Sequence, residues 1–454
     1  MAQSGDVIVI GAGFSGLEAA RRLADRFEVT VIEARERVGG RALLHRFPNG
    51  DETDLGGQWV GPGQDRLQAL IEALGAKTYP LWNEGDHLVA AGKRLKRYRG
   101  TIPALPVHVL LDLDRMLKRF ETMAAGIDPD APWKHEKALA WDRMSVAEFM
   151  NRTGFTARAK EMFRIGIGAV FCAEPHELSL LHALFYARAG GSLNRLLSVE
   201  GGAQQDRVHG GMGGIARAMA DGLGERVRLG EPVRSVAWNH EGVRVRTEAG
   251  EYAARRAILA LPPNQGLAIR FEPALPSTRD ALWRRMPAGA CIKCVAQYET
   301  AFWRDEGLSG QSVGGPGPVS VTFDNTEPGA KSGLLLGFVE GDAARDWSPA
   351  DPDDRRRAVL KSFAAVFGDR ALSPVAYAEQ DWTAEEFTRG CYAAFMGPGV
   401  WTSLGPELRR PFGPIHVAGT ETARSGYGYF EGALEAAERA ASEVRIALGG
   451  RRQR

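Results

Sequence analysis

Gly11-Ala12-Gly13-Phe14-Ser15-Gly16 stands between an apolar run, Asp6 to Ile10, and a stretch with Leu17, Ala20 and Leu23 on one side and Glu18, Arg21 and Arg22 on the other. A β-rich run, Val29 to Ile32, then ends at Glu33. Strand, glycine turn, helix, strand and acid, in that order, are what a dinucleotide needs. Gly11 permits the tight turn, Gly13 lets a pyrophosphate approach the backbone, and Gly16 lets helix and strand pack closely. The helix N-terminus offers free N–H groups and a positive dipole end to phosphates. Glu33 is placed to accept hydrogen bonds from an adenosine ribose. A GxGxxG alone is a weak signal. Its agreement with both strands, the helix and the acid outweighs a purely structural turn.

Other stretches carry chemistry of the same kind. Gly39-Gly40-Arg41 follows the acid, and bare backbone with a guanidinium can reach a pyrophosphate. Gly56-Gly57-Gln58, at the end of an apolar run, suggests backbone laid against something flat, with a plain glycine turn as the alternative. Near the C-terminus a strand ends in Gly419-Thr420-Glu421 and leads through glycines into an alanine-rich helix from Phe430. Free N–H groups there, Phe430's among them, can stabilise negative charge on a ligand. Lys293 lies in an apolar strand, which is unusual without a role. Gln204, between glycine pairs, reads equally well as a cavity wall or a solvated loop.

The elements that position these residues belong to an α/β chain. Its 454 residues are too many for one core and suit two domains. A net charge of +1 gives no general attraction to nucleic acid or anionic lipid. Four cysteines are too few for a disulfide scaffold, and Cys291-Ile292-Lys293-Cys294 sits in a β-like run with no second pair, so no metal site is expected. No run approaches a membrane span, and the first strand leaves no room for a signal peptide, so a cytoplasmic protein is expected. Residues 104 to 209 read as mostly helical, including an amphipathic helix from Glu177 to Arg188. Lys93 to Arg99 is a charge run that suits a solvated hairpin or helix face, and the last six residues form a polar stub. The cofactor domain collects 1–77, 210–282 and 386–454, and the substrate domain 78–209 and 283–385, with the chain crossing between them several times.

Ile8 to Arg41, Asp54 to Pro62, Cys291 to Trp303, Gly390 to Gly399 and Val417 to Ala441 resemble the motifs of the flavin-dependent monoamine oxidase family, and the resemblance covers nearly the whole chain. It implies a Rossmann-like FAD-binding domain with an α+β substrate domain. Glu33 would hold ribose, Arg35 and Arg41 would lie along the FAD, and Val233 would meet the adenine end. Gly56, Gly57 and Gln58 would pass the ribityl chain and ring, with Gly419 and Glu421 in the last flavin motif. Lys293 matches the family's active-site lysine, linked to reoxidation by dioxygen. Tyr392 and Tyr429 match the pair of tyrosines that flank the amine. Cys391 sits where some members attach FAD through a thioether; the sequence permits that bond and does not establish it. Phe171, Gln204, Val321 and Phe338 would line the substrate cavity.

The expected reaction is oxidation of an amine to an imine, hydrolysed to aldehyde or ketone plus ammonia, with dioxygen leaving as hydrogen peroxide. The partners are then a small amine and dioxygen, with no nucleic acid or membrane, and a homodimer is compatible. An L-amino acid oxidase would need a cation for the substrate carboxylate. A C–C desaturase would have little use for Lys293, Tyr392 and Tyr429 together. An inactive FAD-bound scaffold is the alternative from another class.

Overall fold

The computed structural model describes residues 3–91 and 94–449. Lys93, which opens the charge run, and the polar stub beyond Gly449 lie outside the described residues.

One sheet is centred on Gln3–Ile10, with Val29–Ile32 and Glu251–Leu259 parallel on its two sides. Val7, Val9, Val31 and Ile258 on one face and Ile8, Ile10, Ile32 and Leu259 on the other are all buried, because both faces of this sheet are covered. That is why these strands read as unbroken apolar runs rather than as alternation. Ile415–Val417 joins in parallel against the second half of Glu251–Leu259. The register aligns Ile10 with Ile32 and Leu259, and Leu259 with Val417. Four parallel strands therefore end on one side, and the residues that follow them gather in the crevice at their carboxyl ends. Val227–Arg228 extends one edge, and Val243–Arg246, Ser235–Trp238 and Arg270–Glu272 extend the other. Helices Phe14–Leu23 and Phe430–Gly449 pack together in the core that covers one face.

The second sheet has the order Ala376–Asp381, Cys291–Tyr298, Gly333–Glu340, Val321–Asp324, Leu308–Val313, Asp86–Ala91, Arg94–Tyr98. Cys291–Tyr298 and Gly333–Glu340 are buried at every position. Antiparallel register sets Lys293 opposite Phe338, and Phe338 opposite Val321. Opposed residues point to the same face, so these three side chains form one row across three strands. Cys291 and Cys294, three apart on a strand, face opposite sides. Arg94–Tyr98 is an exposed edge strand, and its charges discourage pairing with other chains.

The region of 104–209 is helical, with Val107–Ala125, Ala157–Phe171 and Leu180–Ala189 as its main helices. The helix expected over Glu177–Arg188 departs from expectation. It begins at Leu180, with the Ser179 hydroxyl capping it by accepting from the His182 N–H. It is buried at every position except Arg188, because Val107–Ala125 and Ala138–Arg143 both pack against it. No helix among the described residues is long and apolar enough to cross a membrane.

Candidate active site

The crevice at the strand ends opens into a long cleft. Gly11, Gly13, Phe14 and Ser15 border it from the first turn, and Glu33, Arg35 and Arg41 from the second. Val233, in the loop before Ser235–Trp238, borders it too, with Gly56, Gly57, Gln58, Lys293, Gln204, Phe338, Cys391, Tyr392, Gly419, Tyr429 and Phe430. Gly16, Glu421, Phe171 and Val321 do not. Gly16 serves packing: a Cβ there would lie 1.8 Å from the Gly11 carbonyl oxygen. Glu421 is buried and holds Arg41 through two hydrogen bonds, 2.6 and 3.1 Å. Phe171 ends its helix behind Tyr186, ring centroids 4.6 Å apart. Val321 borders the neighbouring cavity instead.

The cleft fits the expected FAD by several features of the chain itself. A Cβ on Gly13 would meet nothing nearer than the Gly40 Cα at 3.9 Å, so the protein's own packing does not demand that glycine. The space it leaves suits a group that approaches the backbone. The helix that starts at Phe14 has no side-chain cap on its N–H groups. Helix Phe430–Gly449 brings a second positive N-terminal end to the same cleft. Glu33, 3% exposed, accepts from the N–H of Ala12 and of Arg35, which fixes its carboxylate at the cleft edge. Buried polar atoms on the wall, Trp59 Nε1, Gln204 Oε1 and Asn264 Oδ1, have no partner among the described residues. A buried polar group without a partner costs stability, so such atoms mark where a polar ligand or water sits.

At its inner end the cleft becomes aromatic. Tyr392 and Tyr429 both border it, with the Phe338 ring edge-on to Tyr392 at 6.0 Å and Tyr186 at 6.1 Å from Tyr429. Burial pushes both phenols above their ordinary range, so they stay neutral. Lys293 is 2% exposed. Its Nζ donates to the Gly56 carbonyl at 2.8 Å and to Gln58 Oε1 at 2.5 Å. Gln58 in turn donates to Asn325, which donates to Thr53. Burial lowers the Lys293 ammonium to about 7, against the pull of the Asp54 carboxylate. The same burial raises the Cys391 thiol.

Beyond the tyrosines lies a cavity of about 1230 Å³. It shares Trp59, Ala169, Gln204, Phe338 and Tyr392 with the cleft, so the two meet at the aromatic end. Trp59, Tyr186 and Glu340 were not singled out by the sequence. Glu340 had a readable signal, since it lies two residues after Phe338 on one strand and so on the same face.

Residues 14–445 match the family model described as flavin containing amine oxidoreductase. AofH of Mycobacterium tuberculosis, whose name places it among flavin-containing monoamine oxidases, is 42% identical over 98% of this chain and 97% of its own length. Flavin-containing amine oxidase A of Bos taurus is 38% identical over 98% of this chain and 85% of its own. A wild-type putrescine oxidase solved with putrescine superposes with a TM-score of 0.94 at 34% identity, covering 98% of this chain and all of that one.

Proposed function

The chain belongs to the flavin-containing amine oxidoreductase family and is a FAD-dependent amine oxidase; from that premise we propose how its residues divide the work. FAD, when bound, supplies the acceptor for the two electrons and the hydrogen lost from the amine's α-carbon. The net change is an amine with an α-hydrogen, dioxygen and water giving a carbonyl compound, ammonia and hydrogen peroxide.

Tyr392 and Tyr429 are the walls of the amine slot. Their π faces favour an amine nitrogen between them and restrict its approach. Phe338 and Val321 continue the wall along the row set by the sheet register. Neither tyrosine serves as a base, because burial holds both protons on. The amine therefore arrives neutral, and turnover rises with pH toward the pKa of the bound amine. Lys293 holds a donor at the floor, anchored by Gly56 and Gln58. A cation or donor there stabilises negative charge that develops beside it. The N–H groups ahead of Phe430 act in the same sense from the opposite element. Arg41, fixed by Glu421 and by the Tyr392 carbonyl at 2.7 Å, ties the cofactor side of the cleft to the amine side. Cys391, bordering the cleft, is the candidate for a thioether link to FAD.

The observation that carries this reading is the convergence of Lys293, Tyr392 and Tyr429 on the aromatic end of one cleft whose other end is the dinucleotide turn. Cytoplasmic location and a homodimer belong to the same reading. An amino-acid oxidase fits less well, since Lys118, the basic residue on the wall of the cavity beyond the tyrosines, is already paired with Asp114. A panel of primary amines and amino acids, read by peroxide release, tests the assignment. Peroxide with amines and little with amino acids is expected; peroxide with phenylalanine alone would overturn it.

A further inference from the structure

The cavity beyond the tyrosines holds a carboxylate that the reaction does not use. Glu340 ends the strand Gly333–Glu340 and is 7% exposed. Its Oε1 accepts from the Tyr392 hydroxyl at 3.2 Å, and its Oε2 accepts from the Ser320 hydroxyl. Both partners are hydroxyls, which a neutral glutamine would serve as well. No basic side chain contributes to its charge state, and the acid that does, Glu174, repels it. Burial pushes the carboxyl up to about 7. A buried carboxylate without a counter-charge is costly, and the fold gains nothing from this one that an amide would not give. Such groups collect where a ligand supplies the missing charge.

The rest of the cavity points the same way. Asp114, Glu121 and Glu200 also border it, against Lys118 as the basic residue on its wall. Lys118 is already paired with Asp114 at 2.8 Å. The passage to Tyr392 is therefore negative, and a negative passage with apolar walls draws in cations.

We propose that Glu340 is a subsite for a second cationic group on the substrate. The enzyme then prefers diamines or polyamines, with one nitrogen between Tyr392 and Tyr429 and the other on the Glu340 carboxylate. The inference rests on the amine oxidase reading above. Glu340 lies one hydrogen bond beyond the Tyr392 hydroxyl. At ~1.5 Å per carbon–carbon bond, a spacer of roughly four to six carbons bridges the tyrosine ring and that bond. The hydroxyls of Ser320 and Tyr392 remain on the carboxylate while the ammonium takes its open side.

The test compares kcat/KM for straight-chain diamines of four to six carbons with monoamines of equal length, in the wild-type holoenzyme and in Glu340→Gln. In the wild type the diamines should win by about tenfold or more, and Glu340→Gln should bring the ratio near one, mostly through KM, because it removes one charge-assisted contact. Glu340→Asp, which keeps the charge, should restore part of the preference. A wild type without diamine preference overturns the proposal, and so does a Glu340→Gln variant that loses both series equally, since Glu340 would then merely position Tyr392. If Glu340→Gln fails to hold flavin, the wild-type ratio and Glu340→Asp decide. A wild type that turns over neither series defeats the amine oxidase reading itself, which is a different result.

Discussion

Lys293 shows how one residue can be visible in sequence for a physical reason. A lysine inside an apolar strand must find partners or give up its proton more readily; here it donates to Gly56 and Gln58, and burial lowers its ammonium to about 7. Lys293→Met keeps the length and removes the donor. Reaction of the amine-reduced enzyme with dioxygen should slow by about 10²-fold, the usual size for a lost charge-stabilising donor. Anaerobic reduction by amine should change far less, and stopped-flow traces of the two half-reactions check both. Glu340 carried one local signal, its place two residues after Phe338 on the same strand face, but nothing local says that this strand end is buried. Its burial depends on the helical region lying over that strand end, which no local pattern reports. The carboxyl's folded pKa, about 7, stands above its ordinary 4.5. The folded protein therefore holds this proton more tightly than the unfolded chain. Its contribution favours folding below the ordinary value and is lost as pH rises through about 7. Glu340→Gln should thus raise the unfolding free energy of the holoenzyme at pH 8, read from denaturant melts, by on the order of 1–3 kcal/mol, and change it little at pH 4.5. Equal effects at both pH values would contradict that assignment.

At the scale of elements, the glycine turn separates two jobs that sequence alone merges. Gly16 serves the fold: a methyl there meets the Gly11 backbone oxygen at 1.8 Å, and backbone cannot move aside cheaply. Gly13 has extended backbone, φ −75° and ψ 178°, that alanine also adopts, and open space beside it. Gly16→Ala should therefore yield little folded protein. Gly13→Ala should fold with its stability within about 1 kcal/mol of wild type but bind FAD about tenfold or more weakly. Circular dichroism and a flavin titration distinguish them. The strands, the turn and the C-terminal helix were legible because each buries a run with its own periodicity. The amphipathic helix expected over Glu177–Arg188 is instead Leu180–Ala189 and is apolar all round except at Arg188, since it is covered on both sides. Phe171 was expected on the cavity wall, but as the last helical residue it packs behind Tyr186. Helix register decides such a placement, and an apolar helix offers no polar face from which to fix it.

Across the whole molecule, the first sheet is supplied by strands within 3–32, 227–272 and 415–417, and the second by strands within 86–98 and 291–381. We propose that the domain division at 1–77, 210–282 and 386–454 against 78–209 and 283–385 follows these two sheets. The two parts meet at Lys293, which comes from the second sheet and donates to Gly56 and Gln58 in a loop of the other part of the chain. Long-range placement of this kind was legible only through the motifs, because nothing local in Cys291–Tyr298 says which loop will lie over it. The most direct test is anaerobic addition of a primary amine to the purified protein while its visible spectrum is recorded. The account predicts flavin absorption that bleaches on amine addition and returns when air is admitted. A protein that stays colourless after incubation with FAD, or whose yellow no amine can discharge, would contradict it.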